Sequence, residues 1–212
     1  MSETGVKKGM AAGKPGVLPA RRRFSADEYH RMADAGILGP EERVELLQGD
    51  IYTMAAIGSR HARCVDTLAE WLIVRLAGRA IVRIQGPVRL SSGLEPEPDL
   101  ALLRPRADRY GEEHPGPGDV LLLIEVADTS LAYDRDLKLP RYAEAGIPEV
   151  WLVDLTANQT LIHRDPSGPR YASVSTAGRG DTLTPAAFPD LRLPIDDLLP
   201  SATRSGVRRR AK

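Results

Sequence analysis

The apolar positions of the chain follow a helical period in three segments. From Ser59 to Gly78 they recur every three or four residues, which predicts the strongest helix of the chain. A shorter helix is predicted from the capping-box pattern Ser25-Ala26-Asp27-Glu28 to near Gly36. A third is predicted over residues 134–146, with Pro140 in its first turn.

Other apolar runs have the length and composition of strands. Residues 120–127 are almost continuously apolar, as expected of a strand buried on both faces, and residues 149–155 have the same character. Further strands are predicted at 80–84, 87–90 and 99–103, and hairpins at 44–47 with 50–54 and at 160–164 with 171–175. Together these elements predict an α/β domain with a mixed sheet.

Composition is typical of one soluble domain with tails. The chain has 212 residues, of which 42% are hydrophobic and 27% charged. Its single cysteine, Cys64, cannot form an internal disulfide, and the first residues lack the apolar core of a signal peptide. The longest apolar run, Val120 to Ile124, is too short to cross a bilayer. We therefore expect a cytoplasmic protein that does not bind membranes.

A net charge of zero conceals basic ends on an acidic body. Residues 1–23 carry six basic side chains and one acid, and residues 201–212 carry five basic side chains and no acid. Residues 24–200 therefore have a net charge of −10. We predict disordered basic tails at 1–23 and 201–212 around one domain at 24–200. Such tails either contact a polyanion or are simply solvated ends.

Two carboxylates are candidates for the chemistry of phosphodiester hydrolysis, which needs a bound divalent cation and an activated water. Asp99 opens a predicted strand after Pro98, and Glu125 lies inside the most apolar run of the chain. If the two strands are neighbours, both carboxylates converge at one end of the sheet. The alternatives are a turn residue for Asp99 and a salt-bridged core acid for Glu125.

A lysine with two supporting side chains lies a few residues further on. Asp134, Lys138 and Tyr142 have i, i+4 spacing, so they share one face of the predicted helix. An ordinary helix salt bridge with a packed tyrosine has the same spacing. His61, at the start of the Ser59–Gly78 helix, could contact phosphate or act near a metal, or be a surface or capping histidine. The remaining histidines have no ligand spacing, which argues against a structural zinc.

Several of these segments together resemble the Uma-two family of restriction-endonuclease-like proteins. The resemblance rests on RVELLQGDIYTM at 43–54, Ser59-Arg60-His61, Glu97-Pro98-Asp99-Leu100 and the long segment IEVADTSLAYDRDLKLPRYAEAGIPEVWLVDL from Ile124 to Leu155. It covers residues 24 to 200. It implies the PD-(D/E)XK nuclease fold, in which helices flank a mixed central β-sheet.

The resemblance also implies roles for individual residues. Asp99 and Glu125 would bind Mg²⁺ or Mn²⁺, with Glu45 as an additional acid near the metal, and Lys138 would position water or stabilise the transition state. Asp134 and Tyr142 would fix the lysine. One departure matters: the superfamily lysine usually lies two residues after the acid, where this chain has Ala127. Its role must therefore pass to Lys138.

The function that follows is a metal-dependent endonuclease, with DNA as the favoured substrate and RNA or a small phosphodiester as alternatives. Superfamily nucleases often work as dimers that cut both strands, which suggests a homodimer. A non-catalytic module that binds nucleic acid or protein on the same fold is the competing hypothesis. The acidic body and Ala127 favour it, whereas the joint presence of Asp99, Glu125 and Lys138 favours the enzyme.

Overall fold

A computed structural model describes residues 20–199 of the chain. The predicted basic tails lie outside these residues, except for residues 20–23. Within that short stretch, guanidinium groups of Arg21 and Arg23 lie 3.0 and 3.2 Å from the carboxylate of Asp50.

A six-stranded mixed sheet forms the centre of the domain and confirms the predicted fold class. Its strands are β3 (Ile81–Ile84), β4 (Leu100–Leu103), β5 (Val120–Ala127), β6 (Glu149–Asp154), β7 (Gln159–Ser167) and β8 (Arg170–Ala177), and they neighbour each other in that order. Only β5 and β6 pair in parallel. Parallel neighbours need a crossover connection, which here is the helical segment between residues 131 and 144.

Two apolar cores lie on the two sides of the sheet, because alternate side chains of a strand point to opposite faces. On one side, Leu122, Ile124 and Val126 of β5 pack against helix α2 (Ser59–Leu76). On the other side, Leu123 packs in a second core that includes Tyr142. Glu125 shares the parity of Leu123, so its carboxylate is on the second side, where the crossover segment lies.

The remaining elements lie outside the six-stranded sheet. Helix α1 (Ala26–Asp34) begins with the predicted capping box, in which Ser25 and Glu28 bond each other's backbone amides. The predicted hairpin forms β1 (Val44–Leu47) and β2 (Asp50–Thr53). A short pair, β9 (Thr182–Leu183) and β10 (Leu193–Pro194), follows the main sheet. Within residues 20–199, no helix is long and apolar enough to span a membrane.

The predicted strand at residues 87–90 is wrong. Its amide groups donate to carbonyls of two different segments: Val88 to Pro96 and Leu90 to Leu94 in one, and Arg89 to Pro115 in the other. The alternation that suggested a strand is a packing pattern, because Val88 and Leu90 are buried in the second core. The backbone has no single partner strand with which to form a ladder.

The predicted helix over residues 134–146 begins earlier and is not uniform. It starts as α3 (Leu131–Tyr133), passes through a π-helical turn (Asp134–Lys138) and ends as α4 (Leu139–Glu144). Pro140 therefore lies inside a continuous helical segment rather than in its first turn. A proline has no amide hydrogen and its ring clashes with the preceding turn, and the π-helical turn lies directly before it.

Candidate active site

Asp99 and Glu125 meet where β4 begins and β5 ends. Leu100 pairs with Ile124 in the antiparallel register, which brings the residue before Leu100 beside Glu125. The amide of Asp99 is 3.4 Å from Oε2 of Glu125, and Oδ2 of Asp99 accepts a 2.8 Å hydrogen bond from the amide of Val126. The sequence-based expectation that the two carboxylates converge at one end of the sheet is thus matched by their positions.

Lys138 reaches this pair from the end of the π-helical turn. Its Nζ lies 3.0 Å from Oε1 of Glu125 and 3.2 Å from Oε2 of Glu45, and it also donates to the carbonyl of Glu97 at 3.4 Å. The lysine side chain is only 3% exposed. A single buried ammonium therefore joins an acid of the central sheet to an acid of the β1–β2 hairpin.

Glu45 is fixed from three directions. Besides Lys138, it accepts a 2.8 Å hydrogen bond from the Tyr133 hydroxyl and a 3.0 Å bond from the amide of Glu97. It is fully buried in β1, and the bridge between Leu46 and Glu95 holds that strand against the segment leading to Asp99. The early VELL strand thus brings its acid into the site, as the family resemblance implies.

Asp134 and Tyr142 surround the lysine from the same helical segment. The Tyr142 hydroxyl donates to Oε1 of Glu125, the oxygen that also contacts Lys138. Asp134 is buried and accepts a 2.6 Å hydrogen bond from the Ser130 hydroxyl. All three residues of the predicted helix face therefore point to one place, although the segment between Asp134 and Lys138 is π-helical.

His61 lies against Asp99 rather than on the protein surface. Its Nε2 is 3.0 Å from Oδ2 of Asp99, and its side chain is 16% exposed. Helix α2 begins after Gly58 without a side-chain cap, so His61 is not its capping residue. The other ring nitrogen, Nδ1, is buried and has no hydrogen-bond partner among the described residues.

A cavity of about 320 Å³ is lined by residues 53–58 and 128–130 and by the site residues other than Tyr142, namely Glu45, His61, Asp99, Glu125, Asp134 and Lys138. Four buried carboxylates and one buried ammonium are concentrated there, which leaves an excess of negative charge. The carboxylates are those of Glu45, Asp99, Glu125 and Asp134. Burial, reinforced by the charges of Asp134, Asp99 and Glu45, raises the pKa of Glu125 to about 8 even though Lys138 opposes the shift.

Burial and neighbouring charges together set the pKa values of the other groups in the site. Burial alone would lower the pKa of Lys138, but the charges of Glu125, Glu45 and Asp134 outweigh it and raise that pKa. Burial would likewise raise the pKa of Asp99, yet His61 and the Val126 amide keep it below its usual value. The hydrogen bond to Asp99 raises the pKa of His61 in turn. Burial raises the pKa of Asp134.

Ala127, at the position where the superfamily usually has its lysine, is buried and can supply no charge. A side chain two residues after Glu125 is on the same face of β5. Lys138 instead contacts the Glu125 carboxylate from the crossover segment. The ammonium beside Glu125 therefore comes from the helical crossover segment and not from β5 itself.

Three further participants were missed by the sequence analysis. Tyr133 donates to Glu45, Gln85 Nε2 lies 3.3 Å from Oδ1 of Asp99, and Glu97 lines the cavity. Glu97 lies within the Glu-Pro-Asp stretch of the resemblance, and that position could have marked it. Tyr133 likewise lies within the long segment of the resemblance, whereas Gln85 has no sequence signal, because its contact depends on how the elements pack.

Comparison with known proteins assigns the chain to a family. The sequence profile of the Uma2 (Uma-two) family, described as "Putative restriction endonuclease", matches residues 26–196. No curated protein gives a significant match. Among solved structures, a chain from Anabaena variabilis described as "a putative nuclease belonging to DUF820" superposes with a TM-score of 0.64 at 16% identity.

That superposition covers 82% of this chain and 97% of the Anabaena chain, and at such low identity it shows a shared fold. The family profile spans the elements that carry every candidate site residue, from Glu45 in β1 to Tyr142 in α4. The chain therefore belongs to the Uma2 family, whose description is "Putative restriction endonuclease".

Proposed function

We propose that the protein is a Mg²⁺- or Mn²⁺-dependent endonuclease that hydrolyses phosphodiester bonds, with DNA as its substrate. The observation that carries this proposal is the convergence of Asp99, Glu125 and Glu45 with Lys138 around one cavity. Family membership supports the reaction class. The proposal assigns metal binding to the three acids and a catalytic role to the lysine.

The donor set fits a hard divalent cation. Mg²⁺ and Mn²⁺ prefer carboxylate oxygens and need only one or two of them from the protein. The site offers four buried carboxylates against one buried ammonium, and so much negative charge in a low dielectric favours a cation. Asp99, Glu125 and Glu45 are the residues that would hold it. When bound, such an ion supplies polarisation of the phosphate and a lower pKa for an attacking water.

The protein's own side chains would then orient and stabilise the reacting groups. Lys138, held by Glu45 and Glu125, would stabilise with its ammonium the negative charge that develops on the phosphate. Tyr142 and Tyr133 hold the acids through hydroxyl hydrogen bonds. His61 fixes Asp99 through Nε2, and Asp134 with Ser130 supports the start of the π-helical turn. These are positioning roles.

DNA is preferred as the substrate on the strength of the family description, because no base-reading motif is evident in the sequence. The acidic body of the protein would repel a polyanion, so we propose that the basic tails supply the attraction. We also propose a cytoplasmic homodimer, since cleavage of both strands needs two sites. Analytical ultracentrifugation tests that assembly directly.

A non-catalytic binding module is the second candidate, and one observation favours it. Lys138 is already paired with two acids in the structure, so the buried cluster could serve only as a structural ion pair. In that case the protein would bind nucleic acid or protein without hydrolysing it. Metal-dependent cleavage distinguishes the two functions.

The decisive experiment incubates the purified protein with supercoiled plasmid in Mg²⁺ and in Mn²⁺, with EDTA as the metal-free control. We expect nicked or linear product that requires metal and falls at least about 10²-fold in Lys138→Ala and in Asp99→Asn. Arg141→Ala is the matched control, because this cation lies on the same helical segment but contacts Glu144 and Gln48.

The possible outcomes separate the hypotheses. Absence of cleavage of plasmid, single-stranded DNA and RNA in either metal would favour the binding module. Cleavage of RNA alone would retain the reaction and change the substrate. Cleavage that persists in Lys138→Ala would remove the lysine from the chemistry. Circular dichroism of each variant verifies that it is folded.

Metal binding has an independent readout in thermal stability. Mg²⁺ or Mn²⁺ should raise the melting temperature of the wild-type protein, because a ligand that binds only the folded state stabilises it. Glu125→Gln should abolish this shift. Glu149→Gln is the matched control: Glu149 is equally buried but lies at the opposite end of the neighbouring strand, where it pairs with Arg164. An undiminished shift in Glu125→Gln would contradict the assignment.

A further inference from the structure

Two histidines and a glutamate meet outside the candidate active site. His30 of α1, Glu95 and His114 each offer a ligand atom, and these three atoms all lie within 4.8 Å of one another. Nε2 of His30 is 2.6 Å from Oε1 of Glu95, and the His30 and His114 rings are stacked with centroids 5.5 Å apart. The chain has only four histidines, so half of them are in this cluster.

The donor chemistry differs from that of the main site. Two imidazole nitrogens and one carboxylate oxygen suit Zn²⁺ and similar transition metals, which take nitrogen ligands in three-residue sites. The carboxylate-rich cavity around Asp99 instead suits Mg²⁺ or Mn²⁺. A difference in preferred ion is therefore expected from the ligands alone.

Neighbouring groups orient the glutamate for such a role. Glu95 is buried, and its Oε2 accepts a 2.8 Å hydrogen bond from Nε of Arg89, which leaves Oε1 directed at His30. Asp27 balances the Arg89 charge at 3.1 Å. Hydrogen bonds of this kind commonly fix metal-binding carboxylates.

His30 and Glu95 also line a cavity of about 490 Å³. Arg43 and Glu97 line both this cavity and the one at the main site, so the two are neighbours. An ion held by His30, Glu95 and His114 would therefore have an open side, where a water can complete its coordination.

We propose that His30, Glu95 and His114 form a transition-metal site of the Zn²⁺ class, separate from the Asp99–Glu125–Lys138 site. Such an ion joins three segments that are far apart in the sequence: helix α1, the loop before β5 and the segment that leads from Glu95 to Asp99. It thereby fixes the backbone from which the main site takes Glu97 and Asp99. This proposal does not depend on nuclease activity.

The test uses the full, untagged chain after treatment with EDTA, titrated with Co²⁺ as a spectroscopic substitute for Zn²⁺. We expect one equivalent to bind with the visible absorption of a low-coordinate nitrogen–oxygen site, and Zn²⁺ to displace it. His114→Asn and, independently, His30→Asn should weaken Co²⁺ binding at least about tenfold. Loss of a residue that only hydrogen-bonds a metal ligand already costs that much, so loss of a ligand should cost no less. His163→Asn, a histidine outside both sites, is the matched control and should bind normally.

Two results would overturn the proposal. One is a wild-type protein that binds neither Co²⁺ nor Zn²⁺, since the cluster would then be an ordinary histidine–glutamate ion pair. The other is binding that persists in His114→Asn and His30→Asn but disappears in His61→Asn or Glu125→Gln, since the ion would then belong to the main site. Plasmid cleavage by His114→Asn is measured separately, so that the nuclease proposal is tested independently of the second metal site.

Discussion

Lys138 shows how one residue can determine the energetics of a site. Moving an ammonium from water into a protein interior is costly, and only opposite charges in good geometry offset that cost. Here Glu125 and Glu45 lie at 3.0 and 3.2 Å. Each acid in turn depends on the lysine, since the three groups are buried together. Loss of the cation would leave carboxylates that repel each other.

We predict that Lys138→Met lowers the free energy of unfolding by about 3–5 kcal/mol, the usual cost of breaking a buried ion pair on one side. Equilibrium urea denaturation without metal measures this value. Arg135→Ala is the control, because its pair with Asp136 is exposed to solvent and should contribute little to stability. A loss in Lys138→Met as small as that of the control would show that the acids do not need the lysine.

His163 is a second buried ionisable residue, and it lies outside the candidate sites. It is 7% exposed in β7, its ring lies 5.7 Å from that of Tyr171, and its Nε2 has no hydrogen-bond partner among the described residues. Burial lowers its pKa in the folded protein. The unfolded chain therefore takes up a proton at a higher pH than the folded chain does.

The sign of the resulting pH dependence follows from linkage. Above the unfolded-state pKa of about 6.5, His163 is neutral in both states and costs nothing. As the pH falls below that value, the unfolded state is protonated first, so stability decreases until the folded pKa is passed. We predict that His163→Gln flattens this decrease as the pH falls below about 6.5. Urea denaturation across the range measures it, and parallel curves for the two proteins would contradict the assignment.

At the scale of elements, the π-helical turn explains how the site departs from the usual motif. The turn begins at Asp134 and ends at Lys138, and π-helical turns are common at functional sites. It follows α3 only a few residues after β5 ends, so the lysine returns to the end of the strand that carries Glu125. The sequence spacing predicted a shared helix face for these residues, but it could not predict that the helix would change its pitch.

Local signals predicted most elements, and non-local packing determined the errors. The capping box at Ser25, the Gln48-Gly49 hairpin and the apolar runs of β5 and β6 depend on neighbouring residues, and the structure confirms them. The segment at 87–90 has the alternation of a strand, yet its hydrogen bonds are divided between the nearby residues 94–96 and the distant Pro115, so it has no partner strand. For the same reason, sequence reasoning found Asp99 and Glu125 but missed Gln85 and Tyr133.

The β7–β8 hairpin provides a test of backbone conformation within an element. Its turn includes Gly168 at φ +57°, a left-handed conformation that costs other residues about 1–2 kcal/mol. A methyl group there would meet nothing within 4 Å, so the strain of the left-handed backbone should be the only cost of the substitution. We predict that Gly168→Ala lowers the free energy of unfolding by that amount. Gly178→Ala, equally open but without positive φ, should be nearly neutral, and equal effects of the two would refute the explanation.

In the whole molecule, the sheet is packed on both faces, and the charged cavity lies where β4 begins and β5 ends. Residues 183–199, where no helix or strand was predicted, add Leu183, Phe188, Leu191 and their neighbours to the core on the α2 side. The other side carries the crossover segment, which brings Lys138 to Glu125. Both sides therefore bury an apolar core, and the side of the crossover segment also holds the ion pair of Glu125 and Lys138.

Charge distribution over the whole chain leads to a final prediction about substrate binding. A body of net charge −10 repels DNA, so binding must depend on the basic ends if the proposed function is right. Replacing Arg208, Arg209 and Arg210 by serine should reduce the slope of log affinity against log salt by up to about 0.9 per lost phosphate contact. Replacement of the exposed body residues Arg31, Arg170 and Arg192 makes the same charge change and should alter the slope less. Filter binding at several salt concentrations measures both, and equal slopes would mean that net charge alone, rather than the tail, governs the attraction.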